Sequence, residues 1–421
     1  MRNVGKLTLG RSVQAISSLA YLAFATRSLG PEGFGKLILI HSLCLAVAQL
    51  ARFESWQTMV RFGMRALRAE APAHLRRIVN FGLVLDFSGM VLGMLVYALL
   101  LYPVGAWLGL SVSLRHLALI YGLLTIAVLN GSGTATGLLH LLDRFGRLAM
   151  MATLEPIIRL IGAAAIFTFG GGIEGFLLVW LLALSASHLG VIFSAFPILA
   201  HRGPDWRFRF EPGTWVRPEP GMWRYALGTH WVGAMNVAQD YLPTLAAGGV
   251  IGATGAGLLK VAKQFADVLT GAATKLLVPA LFPELARLKE HARKALVTRL
   301  NLLVVGLFSL VFVFLAIFGK DLIRLIAGPE FSMAYPTMLW LAFAGLVGAT
   351  SFSFETLLTA TGAIRRVVFA NTVSLVVYFI VLALLLKPQG INGVGMAAVA
   401  HATVRSTLLW WNARSAKELE Q

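Results

Sequence analysis

Six polar residues, Lys260, Lys263, Gln264, Asp267, Thr274 and Lys275, recur in a stretch that is otherwise rich in Leu, Val, Ala and Phe. At about 100° per residue they share one arc of an α-helix, while Leu258, Phe265, Leu269 and Leu276 take the other. Three further apolar stretches repeat the pattern: Thr229, Gly233, Asn236 and Asp240; Arg11, Gln14, Ser18 and Tyr21; and His41, Ala48, Gln49 and Arg52. Among these, Arg11, Arg52, Lys260, Lys263 and Lys275 oppose Asp240 and Asp267, five positive charges to two negative. Cations left unpaired at membrane depth are costly, so such a lining favours an anionic ligand, phosphate foremost. The competing structural explanation pairs Lys263 with Asp267 at i, i+4, lets Arg11 and Lys275 reach the membrane surface, and treats Arg52 as a retained loop cation. It accounts for single residues but not for the shared stripe.

A second set, Asp86, Glu155 and Arg159, reads either as a neutralised structural cluster or as a proton- or sodium-responsive coupling site. Its repeat counterparts are apolar, Val373 and Val377 standing opposite Glu155 and Arg159, so this charge is expected in one half only. His41 and His230 lack a His or Cys partner at metal-ligand spacing, and read as polar cavity residues. Gly248-Gly249-Val250-Ile251-Gly252 lacks the Gly-Lys-Ser/Thr that completes a phosphate loop. The sequence gives no nucleophile, metal or cofactor constellation, and no enzymatic activity is expected. Cys44, the single cysteine, excludes an intrachain disulfide.

These residues need elements that hold them inside a membrane. Hydrophobic residues make up 57% of the 421-residue chain and charged residues 13%, with a mean hydropathy of +0.76. That leaves too little polar surface to coat a soluble globule. The net charge of +17 does not point to nucleic acid, because the basic residues sit in short connectors between apolar runs. Spans of about 20 apolar residues are expected near 7–29, 37–56, 78–102, 115–138, 148–169, 173–200, 224–247, 256–280, 298–319, 334–360, 367–387 and 391–412. The first is read as a retained span, since Arg11, Gln14 and Arg27 interrupt any signal-peptide pattern. Arginines and lysines concentrate in the connectors after even-numbered spans, such as Arg61, Arg65, Arg68, Arg76 and Arg77, or Arg287, Lys289, Arg293 and Lys294. Basic loops stay in the cytoplasm, which puts both termini inside.

The chain also repeats itself at an offset of roughly 220 residues. Leu29-Gly-Pro-Glu-Gly-Phe-Gly-Lys-Leu37 is answered by Val250-Ile-Gly-Ala-Thr-Gly-Ala-Gly-Leu258, and Gly172-Ile-Glu-Gly-Phe176 by Gly390-Ile-Asn-Gly-Val394. The expected architecture is an all-α integral membrane protein of about twelve helices in two pseudo-symmetric six-helix lobes, 1–200 and 224–421, joined by a Pro- and Gly-rich cytoplasmic linker at 201–223.

On Leu29-Gly-Pro-Glu-Gly-Phe-Gly35, on Pro279-Ala-Leu-Phe-Pro-Glu-Leu-Ala-Arg-Leu288 and on the two Gly-Ile-x-Gly elements, the chain resembles the multidrug/oligosaccharidyl-lipid/polysaccharide (MOP) exporter superfamily, and within it the Wzx-type polysaccharide-biosynthesis flippases. The resemblance implies a MATE-like fold. It also implies a cationic cavity on helices 1, 2, 7 and 8 that passes a polyprenyl-diphosphate-linked oligosaccharide to the outer leaflet. Arg11, Arg52, Lys260, Lys263 and Lys275 are the cations of those helices, with Gln14, His41, Gln49, Asn236, Asp240, Gln264 and Asp267 as polar lining. The implied setting is the cell inner membrane, with no cofactor, membrane lipid around the protein, and a polysaccharide polymerase or ligase as possible partner machinery. A cation-coupled exporter of small amphipathic compounds is the alternative on the same fold, and Asp86 and Glu155 would serve it.

Overall fold

The computed structural model describes the backbone of residues 2–200, 203–206, 209, 213, 219–267, 290–360 and 363–418. Side chains are described within these ranges except at 2–16, 290–300, 414–418 and positions 200, 231, 232, 236, 353, 356, 359, 360 and 364. Apolar runs in lipid must satisfy every backbone group internally, and the described residues are accordingly helical, with no strand. In chain order the helices are α1 (Arg2–Ala51), α2 (Ser55–Arg68), α3 (Pro72–Trp107), α4 (Val112–Asn130), α5 (Gly133–Leu141), α6 (Phe145–Phe169), α7 (Ile173–Ala200) and α8 (Met222–Ile251). There follow α9 over 253–267, α10 (Glu290–Ile326), α11 (Tyr335–Ala349), α12 (Phe352–Ala360), α13 (Ile364–Gln389) and α14 (Asn392–Glu418). Eight stretches among the described residues are long and apolar enough to cross a membrane. Well-exposed Leu99, Phe169, Phe193, Leu310 and Leu384 give an outer surface suited to hydrocarbon.

The helices form two compact units, one of Met1–Leu29 with Lys36–Leu245, the other of Gly30–Gly35 with Ala246–Gln421. In the first, the core is built from Met59 and Phe62 of α2, Ile78, Phe81 and Leu85 of α3, Leu138 and Leu141 of α5, Val191 and Ala195 of α7, and Met222 and Ala226 of α8. The connector after the second predicted span is therefore itself a helix. In α2 Thr58, Met59, Phe62 and Ala66 are buried while Arg61, Arg65 and Arg68 are exposed, the helical period separating the two faces. In the second unit, Tyr378, Leu382 and Leu386 of α13 pack with Val394 and Ala397 of α14 and Leu259 of α9.

Two predicted spans are broken at matching places of the repeat. The first gives α4 and α5, the second α11 and α12. Each break holds a buried serine whose hydroxyl donates back three residues, Ser132 to Leu129 at 2.9 Å and Ser351 to Gly348 at 3.0 Å. Each serine also meets the last helix of its own repeat, Ser132 bonding His188 Nδ1 at 2.8 Å and Ser351 accepting from Ser406 at 3.0 Å. Buried hydroxyls of this kind supply the groups that an interrupted helix leaves unpaired.

The repeated glycine motif explains itself inside the second unit. Gly30 (φ 63°) and Gly252 (φ 96°) take backbone conformations that disfavour a side chain, so a new helical axis starts after each one. Four residues into each helix stands another glycine, and the two contacts are reciprocal. A Cβ on Gly35 would run into the Ala253 carbonyl, and one on Gly257 would lie 2.6 Å from the Pro31 carbonyl oxygen. Phe34, fully buried, seals the contact edge-to-face on Phe331 at 6.0 Å. Close backbone approach at small residues drives helix association where lipid supplies no hydrophobic contrast. Gly35→Ala and Gly257→Ala should each destabilise by about 2–3 kcal/mol. Gly306→Ala, with nothing within 4 Å of the added Cβ, should leave stability unchanged. Thermal unfolding of the detergent-solubilised variants checks this ordering.

Candidate functional site

In the first unit the chain breaks between α1 and α2 at Arg52, Phe53 and Glu54. His230 of α8 fixes the break: its Nδ1–H donates to the Arg52 carbonyl at 3.0 Å and its ring lies 5.0 Å from Phe53. One turn earlier, Gln49 Nε2 donates to the Tyr241 hydroxyl at 2.8 Å. Arg52 is half-buried; among the described residues it forms no ion pair, and its Nε is buried without a hydrogen-bond partner. Burying such a donor unsatisfied is unfavourable; the Nε atoms of Arg76, Arg115 and Arg159 share the feature. Asp240 is exposed.

Asp86 lies beneath the same break. Its carboxylate, buried on α3, accepts from the Ser55 hydroxyl at 2.5 Å and from the Thr134 amide at 2.7 Å. Ser55 opens α2 and Thr134 stands in the first turn of α5, where unpaired N–H groups and the helix dipole favour an anion. Asp86 thus ties α2, α3 and α5 together. Gly133 has no room for a side chain because Ser55 Oγ and the Asp86 carboxylate occupy that space.

Glu155 and Arg159 do not join Asp86. They pair with each other along α6 at 2.8 Å. The Arg159 guanidinium lies 4.9 Å from the Trp180 ring, a cation–π contact. Trp180 also meets His41 at 4.1 Å and Tyr21 at 5.8 Å, and His41 Nδ1 is hydrogen-bonded to Tyr121 Oη at 2.6 Å. His41, predicted as cavity lining, and the Glu155–Arg159 pair therefore belong to one cluster built on α1, α4, α6 and α7.

In the second unit α9 presents Lys260, Lys263 and Gln264 half-buried and Asp267 exposed, while Leu258, Leu259, Val261, Ala262, Phe265 and Ala266 are buried. Lys275 lies outside the described residues, as do the side chains of Arg11, Gln14 and Asn236. Glu155 and Arg159 have no charged positional counterpart, Val373 and Val377 standing there, but the second unit holds an ion pair of its own through Arg405 of α14. This residue binds Glu355 of α12 at 2.6 Å and Asn371 Oδ1 of α13 at 2.7 Å. The second unit thus neutralises a glutamate with an arginine from a different helix. Among the described residues no group of three or more His, Cys, Asp or Glu could hold a metal ion.

These features describe an all-helical membrane protein whose charged groups are held in apolar helices, and its fold is that of MOP-superfamily transporters. It superimposes on a multidrug-resistance MATE-family transporter of that superfamily in an inward-facing conformation, with a TM-score of 0.73, 14% identity, and 97% of this chain and 98% of the other covered. On the lipid II flippase MurJ in an inward closed conformation the TM-score is 0.74 at 13% identity, covering 96% of this chain and 86% of that one. The chain belongs to the polysaccharide biosynthesis protein family, whose model matches residues 1–289. It is similar to the inner membrane protein YghQ of Escherichia coli (strain K12), 28% identical over a 349-residue alignment, with 80% of this chain and 94% of the relative covered.

Because Asp86 and the Glu155–Arg159 pair have separate partners, their substitutions should act independently. Asp86→Ala, which strands two buried donors, should destabilise by about 2–4 kcal/mol. Combined with Glu155→Gln, its effect should add to within about 0.5 kcal/mol, whereas Glu155→Gln and Arg159→Gln together should cost less than their sum. Chemical denaturation in detergent measures all the variants.

Proposed function

We propose that the protein is a flippase that carries a polyprenyl-diphosphate-linked oligosaccharide from the cytoplasmic to the outer leaflet of the inner membrane for surface polysaccharide assembly. The observation that carries the reading is the half-buried Lys260, Lys263 and Gln264 face of α9, set against a fully apolar opposite face. A multiply charged head cannot cross about 30 Å of hydrocarbon without compensating cations. Membership of the polysaccharide biosynthesis family supports a glycan cargo, and the likeness to a lipid II flippase supports a lipid-linked one. Lys260, Lys263 and Arg52, with Arg11 and Lys275, hold the diphosphate while the isoprenoid tail stays in lipid. The sequence repeats 1–200 and 224–421, joined by 201–223, expose the site alternately to each side. No bond is made or broken, so the protein acts as a carrier and not an enzyme, handing its cargo to a polymerase or ligase. With the cell interior negative, outward movement of an anion is favoured by about 2.3 kcal/mol per charge per 100 mV. The cation-coupled alternative calls for carboxylates open to an ion. Glu155 is already paired with Arg159, and Asp86 with Ser55 and Thr134.

Lys260→Gln with Lys263→Gln should lower surface glycan at least about tenfold at matched protein abundance, since each charge-assisted contact is worth about 1.5–3 kcal/mol. The corresponding arginine variants should retain part of it. Wild-type glycan export by the double glutamine variant overturns the cation mechanism. Orientation is read by cysteine labelling on a Cys44→Ser background: positions 65 and 293 should resist reagent applied outside intact cells, and 254 should react.

A further inference from the structure

The first unit contains a cleft of about 660 Å3 between α2 and the opening turns of α8, within the roughly 300–1,000 Å3 typical of small-molecule sites. Glu54, Gln57, Arg61, Arg224, Tyr225 and Thr229 line it. Glycines 221, 228 and 233 leave the α8 wall bare, and even an added Cβ on Gly233 would meet only Glu54 Oε1, at 3.7 Å. Arg61 is stacked on Tyr225, its guanidinium 4.4 Å from the ring centroid, with Phe62 at 5.8 Å. Stacking fixes the guanidinium plane and leaves its N–H edge for an acceptor. Among the described residues neither Arg61 nor Arg224 has an acidic partner. Glu54 is oriented by the Trp56 indole N–H, which donates to Oε2 at 2.6 Å; Oε1 turns towards α8.

Two guanidiniums alone would suit any phosphate. A carboxylate in the same cleft repels a bare phosphate, yet accepts hydrogen bonds from hydroxyls, and the Gln57 amide can both donate and accept. A sugar phosphate satisfies both halves of this lining. We propose that the cleft binds a glycosyl phosphate, Arg61 and Arg224 taking the phosphate and Glu54 and Gln57 the hydroxyls of the adjoining sugar. This rests on the reading of the protein as a carrier of lipid-linked glycan. It gives that reading a recognition site beside the Arg52–Glu54 break, on the side bearing Arg65 and Arg68, where a head group would be read for its first sugar.

The test is calorimetric titration of the full chain in detergent with glucose, galactose and N-acetylglucosamine 1-phosphates, with inorganic diphosphate, and with the free sugars. At least one sugar phosphate should bind more tightly than diphosphate or any free sugar. Arg61→Gln with Arg224→Gln should weaken it about tenfold or more. Arg68→Gln, which removes an equal charge outside the cleft from the same helix, should leave it unchanged. Glu54→Gln should reverse the preference, tightening diphosphate and weakening the sugar phosphate. Equal binding by wild type and the double arginine variant, or an equal loss in Arg68→Gln, overturns the site. So does tighter binding of diphosphate than of every sugar phosphate by wild type. Glycan export assayed in parallel separates the two readings. Export without sugar-phosphate binding removes the cleft and leaves the flippase, whereas binding without export does the reverse.

Discussion

The reciprocal contact of Gly35 with Ala253 and of Gly257 with Pro31 is the constraint from which most of the second unit follows. Corresponding residues of the two sequence copies touch each other's backbone, so the contact is isologous within a single chain. It requires glycine at both places and a redirected axis just before each, which Gly30 and Gly252 supply. In lipid there is little hydrophobic gain from joining apolar helices, so closeness of backbone and dispersion must do what desolvation does in water. A motif that looks like a flexible loop in the sequence is therefore among the most tightly packed places in the structure.

Charge is handled by local satisfaction. Asp86 is capped by a hydroxyl and a helix N-terminus, Glu155 by an arginine one turn away, and Glu355 by an arginine from another helix. Each solution neutralises or satisfies a carboxylate where it stands. Arg52, between α1 and α2, and Lys260 and Lys263 on α9 are half-buried cations.

Much of this was legible in the sequence, for a physical reason: in hydrocarbon an apolar run of sufficient length has few alternatives to helix. Every predicted span falls on helical backbone wherever it is described, apart from the breaks at 52–54, 131–132 and 350–351 and the turn at 391. Breaks within spans were not legible, because Ser132 and Ser351 look like ordinary small residues until their partners on the last helix of each repeat are seen. Nor was the helicity of α2, whose arginines registered as loop charge although Thr58, Met59, Phe62 and Ala66 keep helical period. At the site, the polar face of α9 could be derived from spacing alone. The grouping of His41 with Glu155 and Arg159 through Trp180 joins helices far apart in sequence, and no spacing rule reaches it.

The membership of the two units has a bearing on the autonomy of the sequence halves. Residues 30–35 belong with the second unit and residues 222–245 with the first, so each half of the chain lends a segment to the other's compact body. Severing the polypeptide between α7 and α8 would give two fragments, each missing part of its own core and carrying part of its neighbour's. Such fragments are complementary in the manner of exchanged arms, and they would have to be made together for either to reach its folded state.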